Sequence, residues 1–240
     1  MLTSFNSEHF VSGKFQKRYK RFFADVELET GEVVTAHCRN PGRMTSCLGD
    51  GWPVLMTNAT NPKRKLKYTL EYMYNGDTWI GVNTNQANKI VEKALKDYKI
   101  DELGDYTAVK KEVAYSEKSR VVFLLEYGCQ IGGAAYYLEV KSVTLLEDGS
   151  YKFPDAPSER ARKHLHELRA MVDSGHRAGI LFLVQRDDGG VFKPADQIDP
   201  QYAELLTEVT KNGVDIMVYS TTMGPLGREL DKQVPYVLSK

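Results

Sequence analysis

The hydrophobic period changes once along this chain, near Asn83, and that change divides it into two folding units. Upstream, over 14–82, apolar residues come in short alternating runs at 22–28, 32–38, 52–58, 67–74 and 78–82, broken by turn residues. Thr30-Gly31 suits a tight hairpin between the first two runs, while Asn40-Pro41-Gly42 and Asn61-Pro62 mark firmer breaks. Five such strands within about seventy residues predict a small barrel. Downstream, Ala87, Ile90, Val91, Ala94 and Leu95 fall on one face of a helix reaching about Tyr98. Strands are expected next at 109–115, 120–127 and 136–145, then a helix from Ser158 to about Val172 that Gly175 closes. The uninterrupted apolar runs 178–184 and 214–219 read as buried strands on either side of a helix over 200–211, which Asn212-Gly213 stops. The expected class is therefore α+β in two domains, a β-barrel over 1–83 and a layered α/β/α unit over 84–240.

Composition narrows the function classes. Of 240 residues, 42% are apolar and 27% charged, ordinary for a globular chain, and no Pro/Ser-rich or acidic run argues for a long unfolded part. No stretch approaches the roughly 18–20 apolar residues needed to cross a bilayer. The first residues lack a basic-then-apolar export signal, so a cytoplasmic location and no membrane partner are expected. Cys38, Cys47 and Cys129 are odd in number and scattered, which suits neither a disulfide framework nor a zinc site. The 32 Lys and Arg residues balance 32 Asp and Glu, so net charge points to no polyanion and only local clusters can. Two clusters stand out. Lys14, Lys17, Arg18, Lys20 and Arg21 interleave with Phe15, Tyr19, Phe22 and Phe23, and Lys63, Arg64, Lys65 and Lys67 form the second. Either run also fits an ordinary solvated face.

One pair has the makings of a chemical site. Glu139 and Lys141 stand two apart in a strand, so alternation projects both to one face. Among apolar neighbours such a pair demands partners. A carboxylate can hold Mg²⁺ beside a scissile phosphate while the ammonium stabilises charge or orients the attacking water. The same spacing is also that of a plain same-face ion pair. The chain has no glycosidase-like acid and base, no phosphate-cradling glycine loop and no cofactor fingerprint, so an enzyme acting on sugars directly finds no support.

Longer phrases bear on this pair. Tyr137-Leu-Glu-Val-Lys-Ser-Val-Thr-Leu145, Phe153-Pro-Asp-Ala156, Glu159-Arg160 and Lys163-His164-Leu165 resemble the sugar fermentation stimulation (SfsA) family. So do Arg18-Tyr-Lys-Arg-Phe22 with Ala24-Asp25-Val26, His37-Cys-Arg-Asn-Pro-Gly-Arg-Met44, and Val82-Asn-Thr84 with Ala87-Asn88. The resemblance runs from about Arg18 to Leu165. It implies an OB-type barrel followed by an α/β/α domain of the PD-(D/E)xK nuclease-like type. It also implies DNA binding linked to the regulation of sugar utilisation, maltose included. Mg²⁺ or Mn²⁺ would be the metal, held by Glu139 and the carbonyl of Val140.

The chain departs from the family at one place. The family's preceding strand reads Ser-Arg-(Ile/Val)-Asp-Phe, and its Asp is the other metal carboxylate; here that position is Val122. An isopropyl group cannot ligate a hard cation, so metal affinity and hydrolysis are expected to fall. Glu126 shares the strand face but stands about 13 Å along it, too far to substitute. Asp155, in the loop that follows, is the candidate replacement. The leading expectation is a sequence-independent DNA-binding protein with an impaired nuclease-like core. The alternative is a metal-dependent nuclease or phosphodiesterase using Glu139, Lys141 and Asp155. DNA phosphates are expected at Arg18, Lys20, Arg21, Arg43, Lys63, Arg64 and Lys65 of the barrel, and at Arg120, Arg160, Lys163 and His164 beyond it, with Phe22 in the barrel core. Strand state and homodimer formation are left open.

Overall fold

The computed structural model describes residues 10–61, 63–116, 119–128, 135–224 and 227–239; Pro62 and Cys129 lie outside them. Strands β1 (Val11–Tyr19), β2 (Phe23–Leu28), β3 (Val33–Cys38), β4 (Pro53–Asn58) and β5 (Tyr68–Tyr74) pair in the order β3-β2-β1-β4-β5. A parallel β3–β5 pairing that begins at Ala36↔Tyr68 closes the barrel. Alternation supplies its core: Ala24, Val26, Ala36, Cys38, Val54, Met56 and Leu70 are buried together, while the residues between them turn outward. β6 (Trp79–Gly81) extends β5 and ends the unit.

β1 is the strand that the hydrophobic pattern hid. Its register with β2 slips between Phe15 and Lys17, a bulge at Gln16 that shifts the alternation by one residue. Phe15 therefore points inward with Val26, whereas Lys17 and Tyr19 pair with the outward Asp25 and Phe23. The expectation for Phe22 is corrected here. Phe22 is 44% exposed, because it belongs to the three-residue turn 20–22, and Phe15 fills the interior instead.

The second half starts with α1 (Asn85–Lys96), followed by β7 (Ala108–Ser116), β8 (Ser119–Glu126), β9 (Tyr136–Val143), β10 (Leu145–Glu147) and β11 (Ser150–Phe153). Then come α2 (Glu159–Asp173), β12 (Arg177–Val184), β13 (Val191–Pro194), α3 (Pro200–Lys211), β14 (Val214–Gly224) and β15 (Gly227–Gln233). The main sheet runs β15-β14-β12-β9-β8-β7, with β9, β12 and β14 parallel at its centre. Helices α2 and α3 are the crossovers that parallel pairing requires. α1 buries Ala87, Ile90, Val91 and Leu95 with Leu138, Val140 and Leu181 on one face. α2 and α3 bury Leu165, Leu168, Tyr202 and Leu206 with Val143, Ile180 and Phe182 on the other. Ser158 and Asp199 cap these two helices by accepting the amides of Ala161 and Tyr202. The two-part α+β plan is thus as the sequence indicated, with β1, β10, β11, β13 and β15 added. No helix among the described residues is long and apolar enough to cross a membrane.

Buried polar contacts stitch the halves together. The Gly81 amide donates to the Gln185 carbonyl at 2.9 Å, and Arg228 pairs with Glu71 at 2.9 Å. Arg186 is 2% exposed. Its guanidinium meets Asp188 through two 2.6 Å contacts and donates to the carbonyls of Ser46 (3.1 Å) and Thr144 (2.9 Å). Ser46 lies between β3 and β4 and Thr144 just beyond β9, so one fork holds barrel and sheet together.

Candidate functional site

Strand alternation on β9 sends Leu138 and Val140 toward α1 and leaves Glu139 and Lys141 on the face covered by α2. α2 supplies a third member. Lys141 Nζ lies 2.7 Å from Glu139 Oε1, His164 Nδ1 lies 2.7 Å from the same oxygen, and Lys141 Nζ and His164 Nδ1 are 3.1 Å apart. Arg160 Nε stands 3.5 Å from His164 Nε2. The tautomer that satisfies both ring contacts carries its proton on Nδ1, donates it to Glu139, and leaves Nε2 to accept from Arg160. Lys141 then bonds the carboxylate and not the ring. His164, expected at a DNA phosphate, is buried instead, because it lies on the stripe of α2 that faces the sheet with Ala161, Leu165 and Leu168.

The triad is closed in. Glu139 is 3% exposed, so it does not open into a cleft wide enough for a polymer. Burial alone would push its carboxyl up, but the Lys141 charge and the His164 hydrogen bond outweigh that and hold it below the ordinary value. Its second oxygen, Oε2, is buried without a hydrogen-bond partner among the described residues, as is the hydroxyl of Tyr202. Burial raises the Tyr202 phenol well above its usual range, and the charges of Glu139 and Asp199 add to the effect.

These donors do not fit a divalent cation. β8 pairs with β9 as far as Phe123↔Leu138, and the same register carried one residue on sets Val122 level with Glu139. Its side chain is half-buried and packs against the apolar core. Asp155 does not make good the loss: Oδ2 accepts the Met44 amide at 3.2 Å, and the carboxylate lies so close to Gly42 that a Cβ there would fall 2.0 Å from Oδ2. Val140 pairs with Leu181 in the sheet. Lys141 already places a positive charge on one Glu139 oxygen, leaving Oε2 as the remaining donor. Among the described residues no group of three or more His, Cys, Asp or Glu could hold a metal ion. Mg²⁺ asks for near-octahedral oxygen ligation, which one buried carboxylate oxygen beside an ammonium does not supply.

The cationic candidates divide into those held by protein groups and those that are free to meet a ligand. Arg18 Nε donates to the carbonyl of Arg21, and its terminal nitrogens to those of Asn40, Gly42 and Arg43, at 2.7–3.1 Å. It is a brace for the 40–43 loop. Arg64 donates to Thr69 Oγ1 at 3.2 Å, Arg120 to the Glu112 carbonyl at 2.8 Å, and Lys163 lies 3.5 Å from Glu167. Lys20, Arg21, Arg43, Lys63 and Lys65 are exposed. The 40–44 loop rests on Asp155, five residues before Arg160, which in turn touches His164. The barrel tip, meaning the 20–22 turn and the 40–44 loop that Arg18 braces, is thereby tied to the segment that leads into α2. The sequence reading missed Tyr202 and Arg186. A long cation at the end of the apolar run 178–184, with an acid two residues on, was the available signal for Arg186.

Comparison with known proteins agrees with this architecture. A family model described as the SfsA N-terminal OB domain matches residues 17–82, and one described as the sugar fermentation stimulation protein RE domain matches residues 85–227. The chain is 46% identical over 211 residues to a sugar fermentation stimulation protein homolog of Geotalea uraniireducens, covering 88% of this chain and 90% of that one. A homolog from Pseudoalteromonas atlantica is 44% identical over 230 residues, 95% and 97% of the two chains. Among solved structures, Pyrococcus furiosus SfsA in complex with Ca²⁺ superposes with a TM-score of 0.86 at 26% identity, covering 96% of this chain and 97% of that one.

Proposed function

The chain belongs to the sugar fermentation stimulation protein family, and from that premise we propose that it binds DNA without sequence preference through the linked barrel tip and α2 N-terminus. The observation that supports this reading is the docking of the 40–44 loop on Asp155, which ties the loop carrying exposed Arg43, and through Arg18 the turn carrying exposed Lys20 and Arg21, to the segment that leads into α2 with its Arg160 and Lys163. Exposed cations on linked segments suit a phosphate backbone, and among the described residues nothing resembling a base-reading helix accompanies them. A link to control of sugar utilisation is the regulatory setting this binding would serve. The second half is nuclease-like in this reading but impaired, since Val122 stands where the family carries its second carboxylate.

Fluorescence anisotropy across a NaCl titration tests the reading. The logarithm of affinity should fall linearly with the logarithm of salt, by about 0.9 per phosphate neutralised. Changing Lys20, Arg21 and Arg43 together to Ala should weaken binding at every sequence and flatten that slope by roughly two to three. Affinity and slope identical to wild type would remove the barrel tip from the interface. Arg18 is left out of the set because its loss would release the loop itself.

The Ca²⁺ complex of the Pyrococcus furiosus relative makes divalent binding the second property to measure. Titration calorimetry should find weak Mn²⁺ binding by the wild type and tighter binding by Val122→Asp, and the wild type should not cleave single- or double-stranded DNA with Mg²⁺ or Mn²⁺. Cleavage abolished by Glu139→Ala, or equal Mn²⁺ affinity in wild type and Val122→Asp, would overturn the impaired-core reading.

A further inference from the structure

The outer face of the first three strands carries a row of rings. We propose that this row, with Phe22 at its corner, is a base-stacking platform that makes the protein prefer single-stranded to duplex DNA; the inference rests on the DNA-binding reading above and adds the strand state. Tyr19 pairs with Phe23 and Phe23 with His37, so the three side chains stand side by side while Ala24, Ala36 and Cys38 go to the interior. The rings of Tyr19 and Phe23 stack with centroids 5.5 Å apart and planes at 13°, and that of Phe22 lies 6.4 Å from His37. Tyr19 is 37% exposed and Phe22 44%. Burial first, then the charges of Arg39 and Arg64, hold His37 below its ordinary value, so it presents an uncharged ring at neutral pH.

Cations frame the row at both ends. Lys17 Nζ lies 5.9 Å from the Tyr19 ring centroid, and Arg64, from the loop between β4 and β5, reaches within 3.3 Å of His37 Nδ1. The neighbouring acid, Asp25, is engaged by the hydroxyls of Tyr19 (3.2 Å) and Thr35 (2.8 Å) and by Lys17 (3.6 Å). The backbone at the tip is informative as well. Lys20 and Arg21 have φ of 47° and 62°, a left-handed geometry in which glycine is unstrained and long side chains are not. Two long cations at positions better suited to glycine indicate a contact that needs them. Phe22 sits on a fixed backbone, donating to the Lys20 carbonyl at 2.8 Å and accepting the Cys38 amide at 2.9 Å. In a duplex the base faces are hidden in the stack, so rings between cations offer their added contact to unpaired bases only.

The test uses the full chain with a labelled oligothymidylate and a duplex of equal length at fixed salt. Wild type should bind the single strand about tenfold more tightly, Phe22→Ala should lose about tenfold on the single strand and little on the duplex, and Phe22→Tyr should keep the preference. Replacing Lys20 and Arg21 by Gly should leave the melting temperature no lower yet weaken both complexes. Duplex preference, or equal behaviour of Phe22→Ala and Phe22→Tyr on the single strand, overturns the platform and leaves the DNA-binding reading standing. Binding to neither polymer at low salt ends both.

Discussion

Replacing Arg186 by methionine is expected to lower the free energy of unfolding by about 3–5 kcal/mol, the range for removing one partner of a buried ion pair. The substitution strips Asp188 of its two 2.6 Å contacts and takes a charged donor from the Ser46 and Thr144 carbonyls, of which Thr144 keeps only the longer contacts from Ser46 Oγ and Cys47 Sγ. Burial works against the guanidinium's charge, and the Asp188 hydrogen bonds outweigh it and raise its pKa. Arg186→Lys should recover part of the loss, because an ammonium keeps the charge but cannot span Asp188 and two carbonyls at once. Urea unfolding of the three proteins at pH 7 measures this. A loss below about 1 kcal/mol for Arg186→Met would mean that the halves are held by other contacts. Function should follow stability. Ser46 lies two residues beyond Met44, whose amide rests on Asp155, so loosening this fork also loosens the barrel tip from α2 and should weaken DNA binding.

The reach of sequence reasoning varied with how local the deciding physics was. Glu139 and Lys141 were placed together because a strand period of two is independent of everything around it. The caps at Ser158 and the Pro200 helix start were legible for the same reason, since capping is settled within one turn. Phe22 extends the inward alternation of Ala24 and Val26 by one step in the sequence, and only the fold shows that the strand starts at Phe23 and leaves Phe22 in the turn. The bulge at Gln16 hides the inward Phe15 in the same way, since only the partner strand reveals a bulge. Arg18 illustrates a different limit. In the sequence it is one cation among five, and in the fold it braces four carbonyls, three of which lie more than twenty residues away. Asp155 is the same case, a carboxylate whose partner is an amide 111 residues earlier. β10 and β13, three and four residues long, are too brief for any period to register.

The Glu139 triad yields the second large effect, and its sign separates a structural ion cluster from a working metal centre. Glu139→Gln keeps the shape but removes the charge that holds Lys141 and His164, both within 3.1 Å of one another and of the carboxylate. Breaking a buried pair in this way is expected to destabilise by about 3 kcal/mol or more at pH 7. A carboxylate retained for metal chemistry behaves oppositely, since functional groups held in strained or repulsive surroundings commonly stabilise the fold when removed. The pH dependence follows from the lowered pKa of Glu139. Its contribution is complete above the unfolded value of about 4.3 and is lost as pH falls through the lower folded value. The gap between wild type and Glu139→Gln should accordingly be constant from about pH 7 to pH 5 and narrow below about pH 4, as followed by urea unfolding at each pH. Stabilisation by Glu139→Gln, or a gap that holds its size into acid, would mean that this carboxylate is kept for a ligand and not for its neighbours.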